Sequence, residues 1–187
     1  MAGFTSYHCR VRHGLEFLSP LSSRVYRRRR KGQFINEYPK SRLRPYAFVH
    51  LSRTLMNSKR YDKALEVLKV VRKIPGVSKN ITAYAMYLQA AVYGKTEDYP
   101  RAINILNYAL TLVKKEDYPE LFGSIFVAKG YYLLKQGDFP RASLVMKNLV
   151  QEMPYHPLGV VACMIMGNAA YMNKNWNSVF SVARRAP

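Results

Sequence analysis

Acidic residues are what this sequence has least of for its size. Eleven Asp or Glu stand against thirty Lys or Arg, a formal net charge of +19 over 187 residues with a sequence pI near 10.1. That imbalance sets the chain apart from an ordinary soluble enzyme and points towards a polyanionic neighbour. Cysteine is nearly absent too. Cys9 and Cys163 lie far apart in a chain with no secretory signal, which excludes a disulfide framework and makes a reducing compartment the default. No apolar run approaches the roughly 18 residues that a membrane-crossing helix requires.

The signatures of catalysis are missing as well. The sequence contains no G-x-x-x-x-G-K-[ST], no G-x-G-x-x-G and no H-E-x-x-H. Its four histidines, His8, His13, His50 and His156, are scattered, and the reading as surface or packing residues takes precedence. His8, Cys9 and His13 have no second ligand pair nearby to complete a structural zinc site. The acids Asp98, Asp117 and Asp138 fall at expected helix starts or turns, where capping accounts for them. The expectation is a protein that is not an enzyme and needs no cofactor or metal.

Two regions are present. Residues 1–44 are rich in Arg, Ser, Pro and Tyr and show no sustained period of 2 or 3.6, so they read as a basic, mostly irregular extension. Within it, "RVYRRRRKGQF" spans residues 24 to 34. Such a segment has too little apolar surface to order itself by burial, and its charge favours phosphate as the partner. The candidate phosphate contacts are Arg24, Arg27, Arg28, Arg29, Arg30, Lys31, Lys40, Arg42 and Arg44. The same composition fits a mitochondrial transit peptide, and "RRRRK" fits a nuclear signal. Cut at residue 46, the net charge divides into +9 and +10, so basicity belongs to both parts.

From residue 45 on the sequence repeats. An aromatic followed three residues later by a small or branched residue recurs as Tyr61 and Ala64, Tyr99 and Ala102, Phe139 and Ala142, Trp176 and Val179, at spacings of 38, 40 and 37. Nine residues before each aromatic stand Ser52, Ala90, Gly130 and Gly167, all small. Seven after come Leu68, Leu106, Met146 and Ala183. These positions predict antiparallel helix pairs in which a small residue on the first helix lets the second approach closely. Asp98 and Asp138, followed by Pro100 and Pro140, mark the starts of second helices, and Asn175 offers the same cap. Pro75-Gly76 and Pro154 mark exits.

The pattern resembles the tetratricopeptide repeat family, whose small, aromatic, alanine and closing-proline positions are carried by Gly130, Phe139, Ala142 and Pro154. The resemblance covers residues 45–187 in four units, about 45–78, 82–115, 118–154 and 157–187. It departs from the family in lacking the leading Trp and in its longer units, which implies extended inter-helix turns such as that at "YGKTEDYP". The fold it implies is an all-α, right-handed solenoid of about four antiparallel helix pairs. Drifting register argues against a pentatricopeptide base-reading code. The last unit stops before its second helix reaches the usual length, so either the chain continues or that end docks on a partner.

By this resemblance the first helices would line an inner, nearly uncharged face with Tyr46, Arg53, Tyr84, Tyr87, Tyr131, Met164 and Asn168, a protein-binding groove for a helix or extended peptide. Packing of the tyrosines within the array is the competing reading. The family's carboxylate-clamp positions would fall at Val49, Leu88, Ser124 and Ala128, so that clamp is missing. Outward cations on the second helices include Lys63, Lys69, Lys73, Arg101, Arg141 and Lys147. The expected function is a scaffold subunit of a large RNA-containing assembly, a mitochondrial ribosome fitting best, with protein subunits and rRNA or other RNA as partners. A protein adaptor in a transcription or RNA-processing complex, or in a mitochondrial membrane complex, is the alternative.

Overall fold

A computed structural model describes residues 35, 37–175 and 177 of the chain. Among them are seven α-helices and no strand: α1 Arg44–Asn57, α2 Tyr61–Lys73, α3 Lys79–Lys95, α4 Tyr99–Leu110, α5 Pro119–Gln136, α6 Phe139–Glu152 and α7 Leu158–Met172. The all-α repeat predicted from the spacing is what forms. Arg24 to Lys31 and the Trp176–Val179 anchor lie outside the described residues. The chain divides into two compact units, Met1–Ala85 and Met86–Pro187, with the boundary inside α3.

In the first unit α1 packs on α2. Ala64, Leu68 and Val71 of α2 are fully buried, a stripe at spacings of 4 and 3. Ser52 of α1 is equally buried, and its hydroxyl donates to the Val49 carbonyl at 2.7 Å. A small side chain that satisfies itself locally is what a close helix crossing tolerates.

In the second unit α4 packs on α5, α5 on α6 and α6 on α7, and α5 also touches α7. Leu133, Val145, Met146, Leu149, Ala162, Ile165 and Ala169 form a continuous core. Gly130 explains the small-residue position directly: a Cβ there would lie 2.5 Å from Met146 Cε of α6.

The turn inside each pair is the same device four times. Lys59, Glu97, Gly137 and Lys174 all have positive φ, at 57°, 61°, 87° and 54°. They recur at the repeat's own spacing, two residues before each aromatic. The next residue's N–H bonds back to a carbonyl five residues earlier: Arg60 to Leu55, Asp98 to Tyr93, Asp138 to Leu133 and Asn175 to Ala170, at 2.9 to 3.0 Å. This is the Schellman arrangement, which satisfies carbonyls left open at a helix C-terminus. Glycine serves it without strain, yet three of the four positions are not glycine.

The stretch "YGKTEDYP" is therefore not an extended turn. Helix α3 runs on to Lys95, and only Thr96, Glu97 and Asp98 separate it from α4. The added length of that unit lies in its longer first helix and in residues 111–118 between α4 and α5.

Asp98 and Asp138 cap α4 and α6 as the sequence predicts, accepting from the backbone N–H of Arg101 at 3.3 Å and Arg141 at 3.1 Å. Slight burial pushes the Asp138 carboxyl up, but the hydrogen bonds and charge of Arg141 outweigh it and hold the group below its ordinary value. With the folded value depressed, the stabilisation is present above the unfolded carboxylate range and is lost as pH falls through the folded value. Asp138→Ala should lower stability at neutral pH by about 1 kcal/mol. Thermal unfolding at neutral and strongly acidic pH checks this: the deficit should shrink in acid, and an undiminished deficit would show that the carboxylate is not the cause.

Candidate interaction surfaces

The expected groove residues divide by exposure, and each unit is described by itself. In the first unit Tyr46 is half-buried, Arg53 is exposed and Tyr84 is buried at 9%. Burial pushes the Tyr84 hydroxyl above its ordinary pKa, with the positive charge of Arg53 pulling the other way. Arg44 caps the Phe48 ring from 5.4 Å, a cation–π contact that occupies this predicted phosphate contact locally. Lys40 and Arg42 are exposed, and they join in no ion pair among the described residues.

In the second unit Tyr87 and Tyr131 are half-buried, whereas Met164 is 54% exposed and Asn168 is exposed. Tyr131 belongs to a packed aromatic group: its ring lies 5.7 Å from Tyr132, which stacks on Tyr99 at 6.1 Å. Burial, with Tyr87, Tyr131 and Tyr99 close by, pushes the Tyr132 hydroxyl well above its ordinary value. Lys135 stands 5.6 Å from the Tyr131 ring centre. Packing within the array thus engages Tyr99, Tyr131 and Tyr132. Of the clamp positions implied by the resemblance, Val49, Leu88 and Ser124 are buried and Ala128 is half-buried.

Helix α7 has an open side the sequence reading only partly named. Val160, Met164, Tyr171 and Met172 are exposed, and with Asn168 they follow one helical face at spacings of 3 and 4. The opposite face, Ala162, Ile165 and Ala169, is in the core. Among the described residues no cluster of three or more His, Cys, Asp or Glu side chains is placed to hold a metal ion, and no helix is long and apolar enough to cross a membrane.

Among the described residues the second unit holds several ionic contacts. In the second unit Arg101 pairs with Asp98, Arg141 with Asp138, Lys115 with Glu152, and His156 lies 3.3 Å from Glu120. Residues 86–187 hold eleven Lys or Arg against seven acids, a net of +4; residues 1–85 hold nineteen against four, a net of +15. The even division found by cutting at residue 46 disappears once the cut follows the fold. Burial lowers the pKa of Lys129, with Arg141 adding to the effect.

No protein-family profile matches the sequence, and no curated protein does. Solved structures do. BtubC (BKLC) from P. vanneervenii superposes with a TM-score of 0.73 at 15% identity, over 83% of this chain and 68% of that one. A putative kinesin light chain of Podosopora anserina with nearly identical TPR-like repeats gives 0.68 at 13% identity, over 83% and 81%. MamA RS-1, as a double mutant, gives 0.60 at 20% identity, over 76% and 72%. At these identities the likeness is one of fold, and the fold of this chain is a TPR-like array of helical hairpins.

Proposed function

We propose that the protein is a non-enzymatic scaffold subunit of a large RNA-containing assembly, best matched by a mitochondrial ribosome. Its basic extension grips RNA phosphates and its helical array binds neighbouring proteins. The observation that carries this reading is the +15 concentrated in residues 1–85 of a TPR-like chain. An array of this fold presents surfaces to protein partners, and an uncompensated charge of that size calls for a polyanion.

Sedimentation of the tagged protein from a gentle lysate, with and without ribonuclease, tests the reading. Travel with a heavy particle that ribonuclease dissolves is the expected result. Replacing Arg27, Arg28, Arg29, Arg30 and Lys31 together with Ser should weaken incorporation; unchanged incorporation would remove the extension from the RNA contact. The apolar open side of α7 favours a second reading, a protein adaptor whose complex survives ribonuclease and is insensitive to salt.

A further inference from the structure

The second helices of the repeats occupy equivalent positions but differ in how their charges are answered. On α4 and α6 the exposed arginines Arg101 and Arg141 fold back onto the capping Asp98 and Asp138. On α2 the capping position is Arg60, which makes no side-chain cap. The sequence has thus placed a cation at the cap, next to Lys59 and Lys63, where two other repeats use an acid, and leaves Asp62 in the first turn to answer the helix dipole. A local rule broken at a surface position is expected where the surface has a task.

Lys59, Arg60, Lys63, Lys69, Arg72 and Lys73 are all exposed. None joins in an ion pair among the described residues. Asp62 and Glu66 lie on the same helix and offset two of the six charges. The six are spread along α2 and the turn before it, about 21 Å at 1.5 Å per residue, with Asp62 and Glu66 on the same exposed side.

We propose that α2 and its preceding turn form a docking surface for the phosphodiester backbone of a nucleic acid. This rests on the function proposed above and gives it a second contact, within the folded array rather than in the extension. Lysine meets phosphate as a point charge and arginine as a fork, so all six cations suit a phosphodiester chain. Val70 is the single large apolar side chain exposed on α2, whereas a helix lying in a membrane surface presents a row of them. Contacts of this kind position the protein without reading sequence.

The test uses the full chain and a fluorescein-labelled oligouridine, with affinity followed by anisotropy across a KCl series. Each single-strand phosphate contact contributes about 0.7 to the slope of log affinity against log salt. Lys63→Gln, Lys69→Gln and Lys73→Gln together should lower that slope by about 2 and weaken binding at 0.1 M salt roughly 100-fold. Lys95→Gln, Lys114→Gln and Lys174→Gln together, exposed lysines of the second unit, should change it little. Arg60→Asp should weaken binding while raising the unfolding temperature, because it restores the cap; a merely structural position would not move the two in opposite senses.

Equal losses from the two lysine triples, or no loss from the α2 triple, would overturn the surface. So would α2-dependent binding to phosphatidylserine vesicles without binding to the oligonucleotide. The two readings fail separately. Oligouridine binding that ignores α2 leaves the RNA assembly standing on the extension, while α2-dependent binding with no ribonuclease-sensitive particle in the lysate leaves the surface and removes the assembly.

Discussion

Leu149→Ala is expected to lower stability by about 3 kcal/mol. Leu149 is 1% exposed on α6, inside the core that joins α6 to α5 and α7. Truncation removes the transfer energy of the lost carbons and leaves a cavity that three helices, each fixed by short turns, cannot collapse. Thermal unfolding should show the midpoint reduced by roughly 6 to 12 °C for a chain of this size. Exposed Leu144 on the same helix is the control, because its truncation removes no core contact. Equal effects at the two positions would mean that the stripe through Ala142, Met146 and Leu149 does not face inward.

Gly94→Ala is expected to destabilise although isolated helices prefer alanine to glycine by about 1 kcal/mol. Gly94 lies in the last turn of α3, and a Cβ there would meet the Tyr132 ring at 2.4 to 2.6 Å. The ring is rigid and held between Tyr99 and Tyr131, so it gives way only by leaving both. Overpacking of this kind costs about 1 to 3 kcal/mol, more than the propensity gain. The Tyr132→Leu background supplies the decisive comparison, since with the ring gone the same alanine should become neutral or stabilising. A stabilising effect in the natural background would show that the ring and the helix do not touch.

Much of the fold was legible because its signals are local. Asp98-Tyr99-Pro100 and Asp138-Phe139-Pro140 announce helix starts, and both acids cap as expected. Gly130 is small because α6 passes close, and Ser52 and Ala90 at the same position are fully buried, as spacing alone suggested. What escaped the sequence was three-dimensional. The left-handed turn position is Lys, Glu, Gly and Lys in the four repeats, so composition hides a geometry the backbone repeats faithfully. Which tyrosines pack and which remain open depends on neighbours from other helices, and Tyr84 and Tyr131 were assigned by register alone. The uneven charge was also concealed, because the boundary between units falls inside α3, where no proline or loop announces it.

The left-handed turns carry a consequence for how the chain tolerates changes in length. Within each pair two or three residues connect the helices, and a bond reaching back five residues fixes both their number and their handedness. Between pairs the connections run to five residues at 74–78, eight at 111–118 and five at 153–157. An inserted residue is therefore absorbed at 111–118 but would displace an entire hairpin at 58–60 or 96–98. Peptide tags placed at the exposed Glu116 and Asp117 should leave the chain folded, which makes that connection the natural point at which to label this protein.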